Sequence, residues 1–309
     1  MVGTQLVATV VAALISAAVP VASHSAAPAY GGDFPDPYVL VVGGTYWAYS
    51  TGSGGRNLQV MSSSDLQHWS TVSDPLPVLP AWAQQGFTWA PGVLAAGGRY
   101  VMYYAVRDAA AGRQCISVAT SATPAGPFVD TSTAPFICQL DHAGSIDPVP
   151  FTGPGGVNYL LWKSEDNAIG QPSHLWGQML STDGRHLAGR PSMLLSETGG
   201  WQSPVIEGPS MVLAGGVYYL FYGAGDWSSS SAAMGYATCS SPLGGCRNAS
   251  TASPWMASHG AALGPSGPSF FVGRDGVTRV AYHAWTPVAG YANGGVRSLW
   301  VDTVTFGGP

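Results

Sequence analysis

The stretch DPYVLVVGGTYWAYST, residues 36–51, decides the fold because it recurs along the chain. A short apolar run leads to Gly43-Gly44, and a run of alternating aromatic and small or polar residues follows. Two period-two runs joined by a glycine turn read as a β-hairpin. The same pattern returns as APGVLAAGGRYVMYYAV from Ala90 and DPVPFTGPGGVNYLLWKS from Asp147. It returns again as GPSMVLAGGVYYLFYGAG from Gly208 and GPSFFVGRDGVTRVAYHAW from Gly267. The repeat prolines are Pro37, Pro91, Pro148, Pro209 and Pro268, spaced by roughly 55–60 residues; a four-stranded propeller blade needs about 40–50, and more with long loops. Between repeats lie further strand-like runs, such as RNLQVMSSS, CISVATS, HLWGQMLST and AAMGYATCS. Five such units make an all-β, five-bladed β-propeller. A two-sheet sandwich could hold as many strands but would not explain a fivefold repeat.

Composition agrees. Only 9% of residues are charged, against about 25% in an average soluble domain. With 42 Gly and 24 Pro, the chain favours short strands and tight turns over long amphipathic helices. The net charge is −5 and no basic run exists, which argues against nucleic acid as a partner.

Residues 5–19 are uncharged and largely apolar, too short for a comfortable membrane span of about 20 residues. Pro20 and the small residues near Val21–Ser23 follow, as in the cleavage zone of a secretory signal, although the usual basic start is missing. Residues 1–28 are therefore expected to be a signal and a disordered N-terminus, with residues 29–309 forming one propeller domain. The alternative is a buried strand or membrane anchor. An extracellular monomer with no stable membrane insertion is expected. Four cysteines allow three pairings. Local pairing, Cys115 with Cys138 and Cys239 with Cys246, fits export, each bridge contributing on the order of 2–4 kcal/mol. Free buried thiols are the alternative, and no Cys/His spacing suggests zinc.

In a propeller the first strand of each blade lines the axis. The residue before each repeat proline is Asp36, Ala90, Asp147, Gly208 or Gly267, and in the fourth unit an acid stands one place earlier, at Glu207. Three blades thus aim a carboxylate at one small space. Any single Asp-Pro reads first as a strand start with a local cap. Three acids in register read differently, because crowded carboxylates repel and raise a pKa at no gain to stability. A carboxylate pair across a sugar bond supplies a proton donor and a base for water. Trp89 shares the register of Glu207 and is placed to stack on a sugar ring. Phe34 is a second candidate wall.

These motifs resemble glycoside hydrolase family 43 over nearly the whole mature chain. FPDPYV is similar to the motif that carries the family's general base, which implies that role for Asp36. SIDPVPF is similar to the motif whose Asp tunes and orients the acid, implying Asp147. IEGPSMV resembles the general-acid motif, implying Glu207, and TWAPGV resembles the Trp-Ala-Pro motif. Arg297 in GGVRSLWVD resembles an Arg that reaches the family's pocket. The resemblance implies inverting hydrolysis with no required cofactor, on arabinan, arabinoxylan or related oligosaccharides. Arabinofuranosidase or exo-arabinanase action leads, with β-xylosidase and galactofuranosidase activities, or a non-catalytic carbohydrate-binding propeller, as alternatives. A retaining, fructan-cleaving enzyme is disfavoured by Glu-Gly-Pro where such relatives carry Glu-Cys-Pro. Two departures stand out. Gly92 replaces a frequent Glu, and Gly267 lies where many members carry a His near an axial water or calcium ion, which makes structural calcium doubtful. His283 is read as a core or blade-packing residue.

Overall fold

The computed structural model describes residues 18–307. Strand β1 is Pro20–Ser23. Blade 1 is β2 (Tyr38–Val42), β3 (Thr45–Thr51) and β4 (Leu58–Ser63). Blade 2 is β5 (Ala83–Ala96), β6 (Arg99–Asp108) and β7 (Arg113–Ser121). Blade 3 is β8 (Ser145–Thr152), β9 (Asn158–Ser164), β10 (His174–Leu180) and β11 (Leu187–Ser196). Blade 4 is β12 (Ile206–Ala214), β13 (Val217–Ala224), β14 (Ala233–Cys239) and β15 (Arg247–Asn248). Blade 5 is β16 (Leu263–Val272), β17 (Thr278–Thr286) and β18 (Val296–Phe306), with β1 as its outer strand. Every pairing within a blade is antiparallel. The innermost strands touch in the order β2, β5, β8, β12, β16 and back to β2, so the ring closes. The chain is a five-bladed β-propeller in one domain, as the repeats require.

Each glycine turn of the repeat makes its expected hairpin. Gly43-Gly44, for example, joins β2 to β3 with both residues at positive φ, where a side chain would be strained. The alternating aromatics of the second strands fill the interblade core. Tyr49, Tyr103, Tyr104, Tyr222, Tyr282, Trp162 and Trp285 are fully buried. Each such ring removes about 150–250 Å² from water, the dominant favourable term in a chain with few charges. Both local disulfides form, Cys115–Cys138 and Cys239–Cys246.

The N-terminal expectation needs correction. Residues 1–17, which carry most of the signal-like stretch, lie outside the described residues. Residues 20–23, expected to be outside the fold, pair with Thr303–Phe306 of β18. The physical reason is the open edge of the last blade. Its three C-terminal strands leave unpaired backbone groups, and the N-terminal segment satisfies them. Two side-chain contacts fasten the closure. His24 Nδ1 lies 2.9 Å from Oδ2 of buried Asp302, and the Ser25 backbone N–H donates to Oδ1 at 2.7 Å. No helix among the described residues is long and apolar enough to cross a membrane.

Candidate active site

The five residues that precede the repeat prolines share one backbone conformation. Asp36, Ala90, Asp147, Gly208 and Gly267 have φ of 53°, 44°, 55°, 56° and 64°. Glycine adopts this left-handed region freely, whereas Asp and Ala adopt it at a cost of order 1–3 kcal/mol. In blades 2 to 5 the residue sits at a register shift between the first two strands. The extra residue re-aims its neighbours toward the axis, which is what a β-bulge does beside a functional site.

The shared backbone conformation brings Asp36, Asp147 and the neighbouring Glu207 to one cavity of about 480 Å³, to which all five blades contribute. Thr51 donates to Asp36 Oδ2 at 2.5 Å, and its hydroxyl oxygen accepts the Ala90 N–H at 2.8 Å, tying blade 1 to blade 2. Arg297 Nη1 lies 3.4 Å from Asp36 Oδ1. Burial pulls the Asp36 pKa up, but the Arg297 cation and the Thr51 hydroxyl outweigh it and hold the carboxyl below its usual range. The Asp36 backbone N–H donates to His283 Nδ1 at 3.0 Å. Burial, with Arg297 nearby, lowers the His283 pKa to about 3, so the ring is neutral and carries its proton on Nε2. A neutral ring adds no cation, and we assign the lowering of Asp36 to Arg297 and Thr51.

The other two acids behave oppositely. Burial raises the Asp147 pKa well above its ordinary value, and the nearby Glu207 and Asp36 charges add to that. Burial also raises Glu207, partly offset by the Lys163 cation. The two titrate as a pair that retains a proton above the usual carboxylate range. The Gly208 N–H donates to Asp147 Oδ2 at 2.8 Å, holding Asp147 beside the residue that follows Glu207. Lys163 is almost fully buried; its Nζ donates to Glu165 Oε1 at 2.7 Å and lies 3.9 Å from Glu207 Oε2.

Trp89 and Arg297 line the cavity as the sequence suggests. Phe34 does not. It is fully buried among Val39, Tyr46, Ala48 and Leu299, because its backbone N–H is anchored to the Arg297 carbonyl and its ring packs edge-on against Tyr30. His283 lies in the core as the sequence suggests, and has a second contact there. It touches Asp36 at the axis. Gly267 explains how, since a Cβ there would lie 3.0 Å from the His283 ring. Gly92 is equally constrained: a Cβ would stand 2.5 Å from the Pro148 carbonyl oxygen and the Pro150 ring. A Glu has no room there. Lys163 and Trp227 escaped sequence reading. Trp227 lines the cavity under the Arg297 guanidinium, 5.1 Å from its ring centre. Neither occupies a repeat-start position or one of the motifs that carry the family resemblance.

His283 Nε2 is buried without a hydrogen-bond partner. Calcium takes six to eight oxygen ligands. One imidazole nitrogen beside Gly267 is not that donor set, so the residues do not fit a directly bound calcium ion.

A low-pKa carboxylate and a proton-holding pair therefore face one cavity walled by Trp89 and Trp227. That arrangement can deprotonate a water and protonate a leaving oxygen. The model of Glycosyl hydrolases family 43 matches residues 26–307. A β-D-galactofuranosidase of Aspergillus niger is 28% identical over 238 residues, covering 70% of this chain and 64% of that one, so the chain spans less than two thirds of that relative. Arabinan endo-1,5-α-L-arabinosidase C of Emericella nidulans is 27% identical over 291 residues, covering 87% and 88%. A solved thermostable family-43 glycoside hydrolase superposes with a TM-score of 0.78 at 27% identity, over 90% of this chain and 93% of that one.

Proposed function

Because the chain belongs to glycosyl hydrolases family 43, and is thereby a glycoside hydrolase of its inverting type, we propose that it releases L-arabinofuranose from arabinan or arabinoxylan oligosaccharides. Glu207 gives its proton to the departing glycosidic oxygen as the bond to the anomeric carbon breaks. Asp36 takes a proton from a water, whose oxygen bonds to that carbon from the opposite face. Asp147 keeps Glu207 protonated and oriented. Single displacement needs carboxyl groups about 6.5–9.5 Å apart, leaving room for the water. The observation that carries the reading is the opposite displacement of pKa across one cavity: Asp36 down beside Arg297, Glu207 up through burial. One fold thereby holds a base and an acid at the same pH.

A second reading, β-D-galactofuranoside cleavage, is favoured by the Aspergillus niger relative. The two sugars share the arrangement of their furanose rings and differ in the exocyclic chain, so a furanose-shaped site could take either. Secretion is proposed from the apolar stretch at residues 5–19 and from two disulfides, which persist in oxidising compartments. The test is hydrolysis of aryl α-L-arabinofuranoside, aryl β-D-galactofuranoside and aryl β-D-xyloside beside linear arabinan, by wild type and Glu207→Gln. The arabinoside is expected to turn over fastest, and the mutant to lose arabinan most, because an aryl leaving group needs less acid help. Faster turnover of the galactofuranoside would promote the second reading. Failure on all four would remove both.

A further inference from the structure

A second cavity opens between blades 2 and 3, about 160 Å³ in volume. It shares Trp89 and Glu165 with the catalytic cavity. Lys163 bridges Glu165 to Glu207, so the two cavities meet on the side of the proposed acid. The proposed acid protonates the leaving oxygen, and the second cavity therefore adjoins the leaving group.

Its lining carries polar groups with nothing to bind. Gln114 is over nine-tenths buried, and its Oε1 has no hydrogen-bond partner. Its amide is held in place by Nε2, which donates to the Phe87 carbonyl at 3.3 Å. Arg107 Nε is likewise buried and without a partner, and the guanidinium takes part in no ion pair among the described residues. It lies 4.9 Å over the Phe87 ring. Arg113 lines the same cavity. Asp108 stands opposite Arg113 in the β6–β7 register, which leaves Arg107 as the cation beside the cavity that an anion would satisfy. Glu165 does not serve as that anion, since Lys163 already engages it. An unpaired buried donor or acceptor costs about 1–3 kcal/mol, and a ligand that satisfies it recovers this.

The ligand chemistry follows from the lining. Phe87 and Trp89 offer aromatic faces to a sugar ring. Gln114 Oε1 offers an acceptor to a hydroxyl. Arg107 offers a planar fork that matches a carboxylate. We propose that this second cavity is a subsite for a uronic acid residue on the leaving-group side of the scissile bond. The assignment of the side rests on the hydrolase reading above; the presence of a carboxylate-binding site does not.

The test is calorimetric titration of the full chain with digalacturonate and with its carboxyl-reduced counterpart. Wild type is expected to bind the acidic form at least roughly tenfold tighter, as a hydrogen bond to a charged group implies. Arg107→Met abolishes that preference, and Arg107→Lys, which keeps the charge but loses the fork, retains part of it. Gln114→Met weakens both forms alike. Thermal unfolding of each variant confirms the fold. Equal affinity of wild type for the two forms, no binding of either, or a preference that survives in folded Arg107→Met overturns the proposal. An intact preference in a protein that fails on all four substrates above would instead remove the proposed activity and leave the site standing.

Discussion

Arg297, on the penultimate strand of blade 5, holds its guanidinium 3.4 Å from the carboxylate of Asp36 at the start of blade 1. The contact crosses the seam where the propeller closes. Trp227, Tyr291 and Trp285 surround the guanidinium at 5.1, 5.7 and 6.0 Å, and its Nε donates to the Tyr291 hydroxyl at 3.1 Å. A cation so fixed keeps Asp36 anionic in a buried setting.

Asp36 acts as a base only when deprotonated, so its lowered pKa places the acidic limb of kcat/KM below the ordinary carboxylate range. Arg297→Met removes the cation and moves that limb to higher pH. Asp36→Asn lowers kcat by on the order of 10²–10⁴, the usual worth of a positioned base. A pH profile of both variants on one substrate checks this. An unmoved limb in Arg297→Met would mean that Asp36 is not the group titrating there.

Lys163 pulls the Glu207 pKa down against burial. Lys163→Met is therefore expected to raise it further and to shift the alkaline limb of the pH profile upward. The same change leaves Glu165 half-stranded. Breaking a buried pair costs about 3–5 kcal/mol, and the partial exposure of Glu165 puts this case at the lower end or below. Denaturant unfolding beside the pH profile separates the two effects.

Asp147 has a folded-state pKa raised above its unfolded value. Such a group favours the folded state fully below the unfolded pKa, and that contribution is lost as pH rises through the folded one. Asp147→Asn keeps an acceptor for the Gly208 N–H and removes the charge. The variant is expected to melt higher than wild type near pH 8, with the gap closing toward pH 3, while its activity falls. A variant that melts lower at pH 8 would contradict the assigned direction.

The N-terminal strand is expected to be structural. Removing residues 1–25 strips β1 from β18 and takes His24 and Ser25 away from buried Asp302. The Tyr282 hydroxyl, 2.9 Å from Asp302 Oδ2, remains as a partner. The loss of two partners at a buried carboxylate is expected to cost on the order of 1–3 kcal/mol, with strand pairing in addition. Melting of the truncated chain beside one that begins at residue 18 measures it.

The repeat made the fold legible, since glycine turns and alternating aromatics dictate hairpins wherever they recur. It also placed Asp36, Asp147 and Glu207, because equivalent positions in a ring must converge. Lys163, His283 and Trp227 were not legible in the same way. Lys163 and His283 come from second strands and Trp227 from a loop, and nothing in their local text distinguishes a side chain that reaches the axis from one that packs between blades. Phe34 failed for the converse reason. It neighbours a site residue in sequence, but the chain bends between it and Asp36, where φ is positive, and the ring turns into the core. Gly92 looked like a lost acid. The approach of Pro148 and Pro150 shows that the two blades meet there too closely for any side chain.

The most direct test of the central claim is the anomer first formed from an aryl α-L-arabinofuranoside, followed by NMR early in the reaction. Water activated by Asp36 on the face opposite Glu207 gives the β-anomer first, by a single displacement. First appearance of the α-anomer would mean two displacements through a covalent intermediate, and would contradict the roles given to Asp36 and Glu207.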